Sequence, residues 1–462
     1  MLQIFGLAIV AGNELRARCL VLVAGHPVLS DGSPTRAAFK WLGTGGRFPR
    51  LLDAEIVGWA DLAKTCHRIR EFTRDRWSVR SLWELFQGFA MSMNRRDTFV
   101  DGIRGLALVV ICLNHIPSPI TPYTFESLGF FSAAEVFVFI SGFVAGFVYA
   151  PSHRGIEPRK LRIKAWRRTG ILWCAFVLAF GLSFFIRSWG GVGAGGWRNI
   201  LERPFLRAWG YSGLLLLRPN FVGILPVYIV CMALTPVAIS LLEQRRYDIL
   251  YVACAGIWLF GQFGGSHAIE GAMARVTGVG AGHFDIFGWQ ALFFLGLFFG
   301  HRRGPCFDVP SDRESWWIVY LPMVATGLLF ILKHGWFGGE SLSAIPPWLT
   351  ARQSLGPLRL VNSLVFLALV FRCSRVPVVR VSVRPFAHLG RASLQVFIAH
   401  DLLAAIMTHP AAGRVHDPIR ILVVVISIGC LYGVAWATHF CKTWLKERKN
   451  WRDKGSLSGT TP

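Results

Sequence analysis

The chain has 462 residues, of which 53% are hydrophobic and only 16% charged, with a mean hydropathy of +0.45. Soluble chains carry about 25% charged residues, so the composition excludes disorder, coiled coil and collagen for the whole chain and argues against a soluble multidomain enzyme. The net charge of +23 would point to nucleic acid in a soluble protein. Here the basic residues lie between apolar runs, which is the positive-inside pattern of a membrane chain, and no nucleic-acid partner is expected.

Residues 1–94 mix Arg, Asp and Glu with short apolar stretches, and none of these is long enough to span. The opening MLQIFGLAIVAG lacks a basic n-region and a clear cleavage site, a weak match to a signal peptide. Periodicity predicts some helix over Leu51–Gly88. Met91 and Met93 stand just before the first apolar run and are candidate true starts. From Val100 onward apolar runs recur, near 100–117, 129–150, 169–187, 221–242, 248–263, 285–300, 316–333, 356–372, 386–408 and 421–441. The expected fold is all-α, a polytopic integral membrane bundle of about ten transmembrane helices over 95–445, followed by a basic tail over 446–462.

Loop charge orients this bundle. The loop after the second run carries Arg154, Arg159, Lys160, Arg162, Lys164, Arg167 and Arg168. Later even loops carry Arg245 and Arg246, then Arg302, Arg303 and Arg313, then Arg372, Arg375, Arg380 and Arg384. The odd loops are poorer, apart from the long 188–220 stretch. Both termini are therefore expected in the cytoplasm. The ten cysteines show no CxxC and no Cys/His ligand spacing, so neither a disulfide framework nor a metal site is expected.

Ionisable residues inside apolar runs are costly and mark functional candidates. The first run holds Arg104 and His115, eleven positions apart. At about 100° per residue they share one helix face, roughly 16 Å apart along the axis. Arg104 falls near the cytoplasmic end and His115 near the outer end. Glu135, at a similar outer depth in AAEVFVFISGF, reads either as a protonated carboxyl with a local partner or as a carboxylate orienting a histidine. Ser141 and Gly142 suit close helix approach. Arg162, Arg167 and Arg168 read as positive-inside charge, or as ligands for phosphates on a cytoplasmic donor. HFDIFGWQ places Asp285 and Gln290 near the outer face. LGRASLQVFIAHD places Arg391 at the inner end and His400 and Asp401 further out. Arginines thus recur at one level and His with carboxylates at the other.

RRDTFVDGIRGLALVVICLNHIP and GFFSAAEVFVFISGFVAGFVYA resemble the OpgC-type membrane proteins, linked to succinylation of osmoregulated periplasmic glucans. These look like relatives of the membrane acyltransferase-3 group. That group's Arg, ten residues, then His is matched by Arg104 and His115. Its acidic residue and Phe-rich stretch are matched by Glu135, Phe137, Phe139, Ser141, Gly142 and Phe143. Its basic motif is matched loosely by Arg162, Arg167 and Arg168. GILPVYIVCMALTP, FGWQALFFLG and LGRASLQVFIAH extend the likeness over roughly 95–440. Two positions depart from the pattern: Asn114, before His115, and Gly223, near Leu225 and Pro226, stand where Asp is expected. This loss bears on acceptor binding or specificity.

The resemblance implies a bacterial inner-membrane O-acyltransferase, with succinyl-CoA as the acyl-CoA donor and periplasmic glucan hydroxyls as acceptor. His115 would be the general base or transient acyl carrier, and Glu135 would orient or charge-balance it. Arg104, Arg167, Arg168 and Arg391, with Arg162, would hold donor phosphates or the thioester carbonyl. Asp285, Gln290, His400 and Asp401 would face the acceptor. No tightly bound cofactor is implied. A transporter of an anionic or acylated glycan is the rival reading, and a non-catalytic envelope partner a third.

Overall fold

A computed structural model of the chain describes residues 97–457, except 117, 152–154, 190–196, 220–221, 280–281, 283, 303–316, 335–344, 375 and 408–416. Expectations for 1–94, including Leu51–Gly88, Met91 and Met93, lie outside the described residues. Every described residue falls in the compact unit Glu84–Pro462. Among them there are helices and no strands.

The main helices are α1 Thr98–His115, α2 Ala133–Tyr149, α3 Pro158–Trp189, α4 Phe205–Gly213, α5 Ile224–Glu243 and α6 Tyr247–Gln262. They continue with α7 Gly265–Thr277, α8 Ile286–Arg302, α9 Trp317–Lys333, α10 Pro357–Cys373, α11 Ser393–Met407 and α12 Asp417–Leu457. Each apolar run read from the sequence is helical over most of its described residues. Four stretches are long and apolar enough to cross a membrane: α1, α3, α5 and Pro418–Arg448 of α12. The number rises to six if two bent pairs each count as one span, and α2 and Tyr320–Lys333 are shorter apolar helices. Large side chains such as Leu178, Phe185, Leu422, Val425 and Trp436 are exposed on α3 and α12. In water such apolar surface would be a liability, whereas lipid solvates it. This is a membrane protein.

Local chemistry sets the helix ends. Asp97 caps α1, its carboxylate accepting from the Phe99 N–H at 2.8 Å. Ser132 and Glu135 form a reciprocal capping box at the start of α2. Between α6 and α7 the chain bends by 66° at Gly264, whose φ of +88° suits glycine. The predicted span 386–408 is not one straight helix either. Pro377–Arg391 and α11 meet at 83° across Ala392.

The packing core is the α2–α8 contact. A Cβ at Gly142 or Gly146 would strike the backbone of Phe293 or Leu297, and one at Gly296 or Gly300 the backbone of Phe139 or Phe143. Two small-xxx-small stripes therefore face each other and bring the backbones together without a side-chain spacer. Gly142 plays the close-approach role its sequence context predicts. Against α1 lies the short helix Ala387–Arg391, with α11 beyond it.

Candidate functional site

The face of α1 that carries Arg104 and His115 is met at both levels by one chain segment, 387–407. Toward the N-terminal end of α1 the guanidinium of Arg104 is buried and donates from Nε and Nη2 to the Gly390 carbonyl oxygen. It also pairs with Asp101 at 2.9 Å, and Arg391 approaches the other Asp101 oxygen at 3.6 Å. The 83° break explains this latch. A continuous helix would engage the Gly390 carbonyl four residues on, and the bend frees it for Arg104 instead. Arg104 and Arg391 thus share a level, as the sequence indicates. Arg104, however, holds helices together inside the protein and is not presented to a donor.

At the C-terminal end of α1 His115 Nδ1 lies 2.8 Å from His400 Nε2, with the rings stacked at 5.0 Å between centroids. His400 Nδ1 lies 2.6 Å from the Phe397 carbonyl oxygen. A carbonyl only accepts, so His400 carries its proton on Nδ1. With both rings neutral, His400 Nε2 is then an acceptor and His115 must donate to it from Nδ1. The lone pair of His115 is left on Nε2. The backbone of α11 thereby fixes the tautomer of the histidine on α1. The sequence placed His115 and His400 at one depth but did not pair them.

Glu135 does not orient His115. One of its oxygens accepts from the Ser132 N–H at 2.9 Å and hydroxyl at 2.5 Å, and the other is held by Arg359 Nε. The capping box and a buried cation therefore take the carboxylate that the sequence reading assigned to the imidazole. Arg359, on α10, also pairs with Glu126 at 2.7 Å, and Glu126 pairs with Lys333 at 3.0 Å. Burial alone would raise the Glu126 carboxyl, but Arg359 and Lys333 override it and hold it below its ordinary value. Arg359 escaped the sequence reading, although an arginine in an apolar run is the very signal that singled out Arg104.

Arg352, just before α10, stands beside this network. Its guanidinium lies over the rings of Phe125 at 5.2 Å and Phe284 at 6.0 Å. Its Nε is buried without a hydrogen-bond partner among the described residues. Its charge acts on His115, Glu135, Arg359 and Glu126. Burial lowers its pKa, offset in part by the Glu135 carboxylate, and it stays a cation.

The remaining candidates divide. Asp285 accepts from the Phe287 N–H at 3.0 Å and caps α8, near a buried Arg218–Glu270 pair at 3.2 Å. Gln290 donates to the Cys254 carbonyl at 2.9 Å and ties α8 to α6. Asp401 accepts from Ser183 at 2.7 Å and ties α11 to α3. These three side chains are engaged in capping and helix packing. Arg162 and Arg167 are exposed on the first turns of α3 with Arg168 half-buried, open to an anion from solvent. Asn114 accepts from the Thr124 hydroxyl at 2.7 Å, as an aspartate there also would. Gly223 opens α5 with no side-chain cap, and a Cβ there would lie 3.0 Å from the Pro219 carbonyl.

Among known proteins, a family model described as OpgC protein matches residues 96–443. Comparison with curated proteins and with solved structures returns no match.

Proposed function

This chain belongs to the OpgC family, whose setting is the modification of osmoregulated periplasmic glucans, and from that premise we propose that it is a membrane O-acyltransferase. It transfers an acyl group, succinyl by resemblance, from acyl-CoA to glucan hydroxyls. The observation that carries this reading is the His115–His400 pair, which leaves a lone pair on an imidazole whose tautomer is set in advance. Acyl transfer needs that feature, because the hydroxyl proton must leave as the new ester bond forms. The hydroxyl oxygen bonds to the acyl carbon, the carbon–sulfur bond breaks, and coenzyme A departs as thiolate. His115 Nε2 takes the hydroxyl proton and returns it to the thiolate.

The other residues take places around that step. His400 is a positioning residue for His115. Arg162, Arg167 and Arg168, exposed at the start of α3, receive the donor's phosphates, with Arg391 at the same end of α1. Arg104 fixes α1 on the segment that carries His400. Glu135 balances the charge of Arg359 and Arg352. The acceptor side is the periplasm, the membrane is the bacterial inner membrane, and both termini lie in the cytoplasm.

Mass spectrometry of periplasmic glucans from cells with the intact protein and with His115→Ala tests the reading, alongside label transfer from acyl-CoA in membranes. Esters that depend on His115 support it. Glucan movement without ester formation would replace it with the transporter.

A further inference from the structure

Around the outer level the described residues place three cations, Lys333, Arg352 and Arg359, against two carboxylates, Glu126 and Glu135. Arg359 takes both carboxylates and Lys333 shares Glu126. The Arg352 guanidinium is left with aromatic rings and no hydrogen bond or ion pair among the described residues. A buried or half-buried guanidinium held only by ring faces still has donors to satisfy. One monovalent anion would complete the cluster.

The position of Arg352 says where that anion sits. Asn114 adjoins His115 in the chain and binds Thr124, and the next residue, Phe125, is the ring under Arg352. The cation therefore stands on the same side of the bundle as the C-terminal end of α1, near enough for its charge to act on His115. The donor's phosphates do not explain it, because the exposed arginines of α3 and the Arg104 level lie toward the other end of α1, roughly 16 Å away along the helix. The anion that would reach Arg352 is one that travels with the acyl group, a few bonds from the thioester carbon. A carboxylate matches the fork of a guanidinium in two parallel hydrogen bonds.

We propose that Arg352 binds the free carboxylate of a dicarboxylic acyl group, and so selects an anionic acyl donor over a neutral one. This rests on the acyltransferase reading above.

The test compares radiolabelled succinyl-CoA with acetyl-CoA as donors to extracted periplasmic glucan, in membranes bearing the full chain. The unaltered protein should favour succinyl. Arg352→Gln should cut succinyl transfer by about 10- to 100-fold, the worth of a charged hydrogen bond, and leave acetyl transfer nearly unchanged. Arg352→Lys keeps the charge without the fork and should lose less of the same selectivity. It also decides the matter if the Gln variant is missing from the membrane. An equal loss with both donors overturns the assignment and gives Arg352 a role on the developing oxyanion or in packing, while acyl transfer itself stands. No ester from either donor with the unaltered protein removes the acyltransferase reading, and this inference with it.

Discussion

The two ends of α1 carry the same kind of residue and use it in opposite ways. At the end proposed as inner, Arg104 is closed off, its donors directed to the Gly390 carbonyl and Asp101. At the end proposed as outer, His115 is joined to His400, whose own bond to the Phe397 carbonyl sets the tautomer of the pair. Both contacts come from the segment on either side of the Ala392 bend. A buried ionisable group in a membrane bundle is thus not by itself a sign of chemistry. What separates the two ends is the kind of partner the fold supplies, a carbonyl and a carboxylate that anchor a cation at one end and a second imidazole that sets a tautomer at the other.

The largest effect should come from the outer end. His115→Ala removes the base, and glucan esterification should fall by about 10² to 10⁴ with little change in membrane protein. Near-normal ester from this variant would dissolve the contrast between the two ends. His400 should matter next, through His115. His400→Leu removes the acceptor for the Nδ1 proton and should lower kcat by about 10- to 100-fold while the KM for acceptor holds. His400→Gln retains an acceptor oxygen and should recover part of that loss. If Leu and Gln behave alike, the ring is packing and not tautomer control.

The inner end should respond in amount, not in rate. Arg104→Ala removes the closer of the two arginines at Asp101 and should destabilise the protein by about 3 to 5 kcal/mol, the usual cost of breaking a buried pair. Quantified membrane protein should drop, and activity per molecule should stay near that of the intact chain. A raised KM for acyl-CoA at unchanged abundance would instead give Arg104 to the donor and make both ends of α1 functional. Arg359→Ala, which removes the cation shared by Glu135 and Glu126 and leaves Lys333 on Glu126, should lower abundance at least as far.

The apolar runs were legible because lipid demands long stretches without charge, and each of them is helical over most of its described residues. The shared face of Arg104 and His115 was legible from helical period alone. The partner of His115 was not, because His400 lies 285 residues away and no local pattern encodes that distance. Neither was the Ala392 bend, since SLQVFIAH and the residues before it look like one continuous apolar run. Glu135 was misread for a different reason. Ser132-Ala-Ala-Glu135 is a capping-box spelling, and a helix start explains the acidic residue without any histidine. Arg359 carries the same signal as Arg104, an arginine set within an apolar run, but its two carboxylate partners lie in separate segments.

The smallest effect is one of pH, and it sharpens the contrast from the side of the supporting network. Glu126 lies outside the helices, and its carboxyl is held below its ordinary value in the folded protein by Arg359 and Lys333, against the opposing pull of burial. A depressed folded pKa means that the unfolded chain binds the proton more readily. The stabilisation is therefore complete above the unfolded carboxyl pKa of about 4.3. It is lost as pH falls below that value and through the lower folded one. Thermal unfolding of the purified protein in detergent should show a weakening acid limb there, and Glu126→Gln should flatten it while lowering stability at neutral pH. Arg104 and Asp101 lie in another cluster, so Arg104→Ala should leave the part of the limb that belongs to Glu126 in place. An acid limb that persists unchanged in Glu126→Gln would mean that the outer network does not depend on this carboxylate.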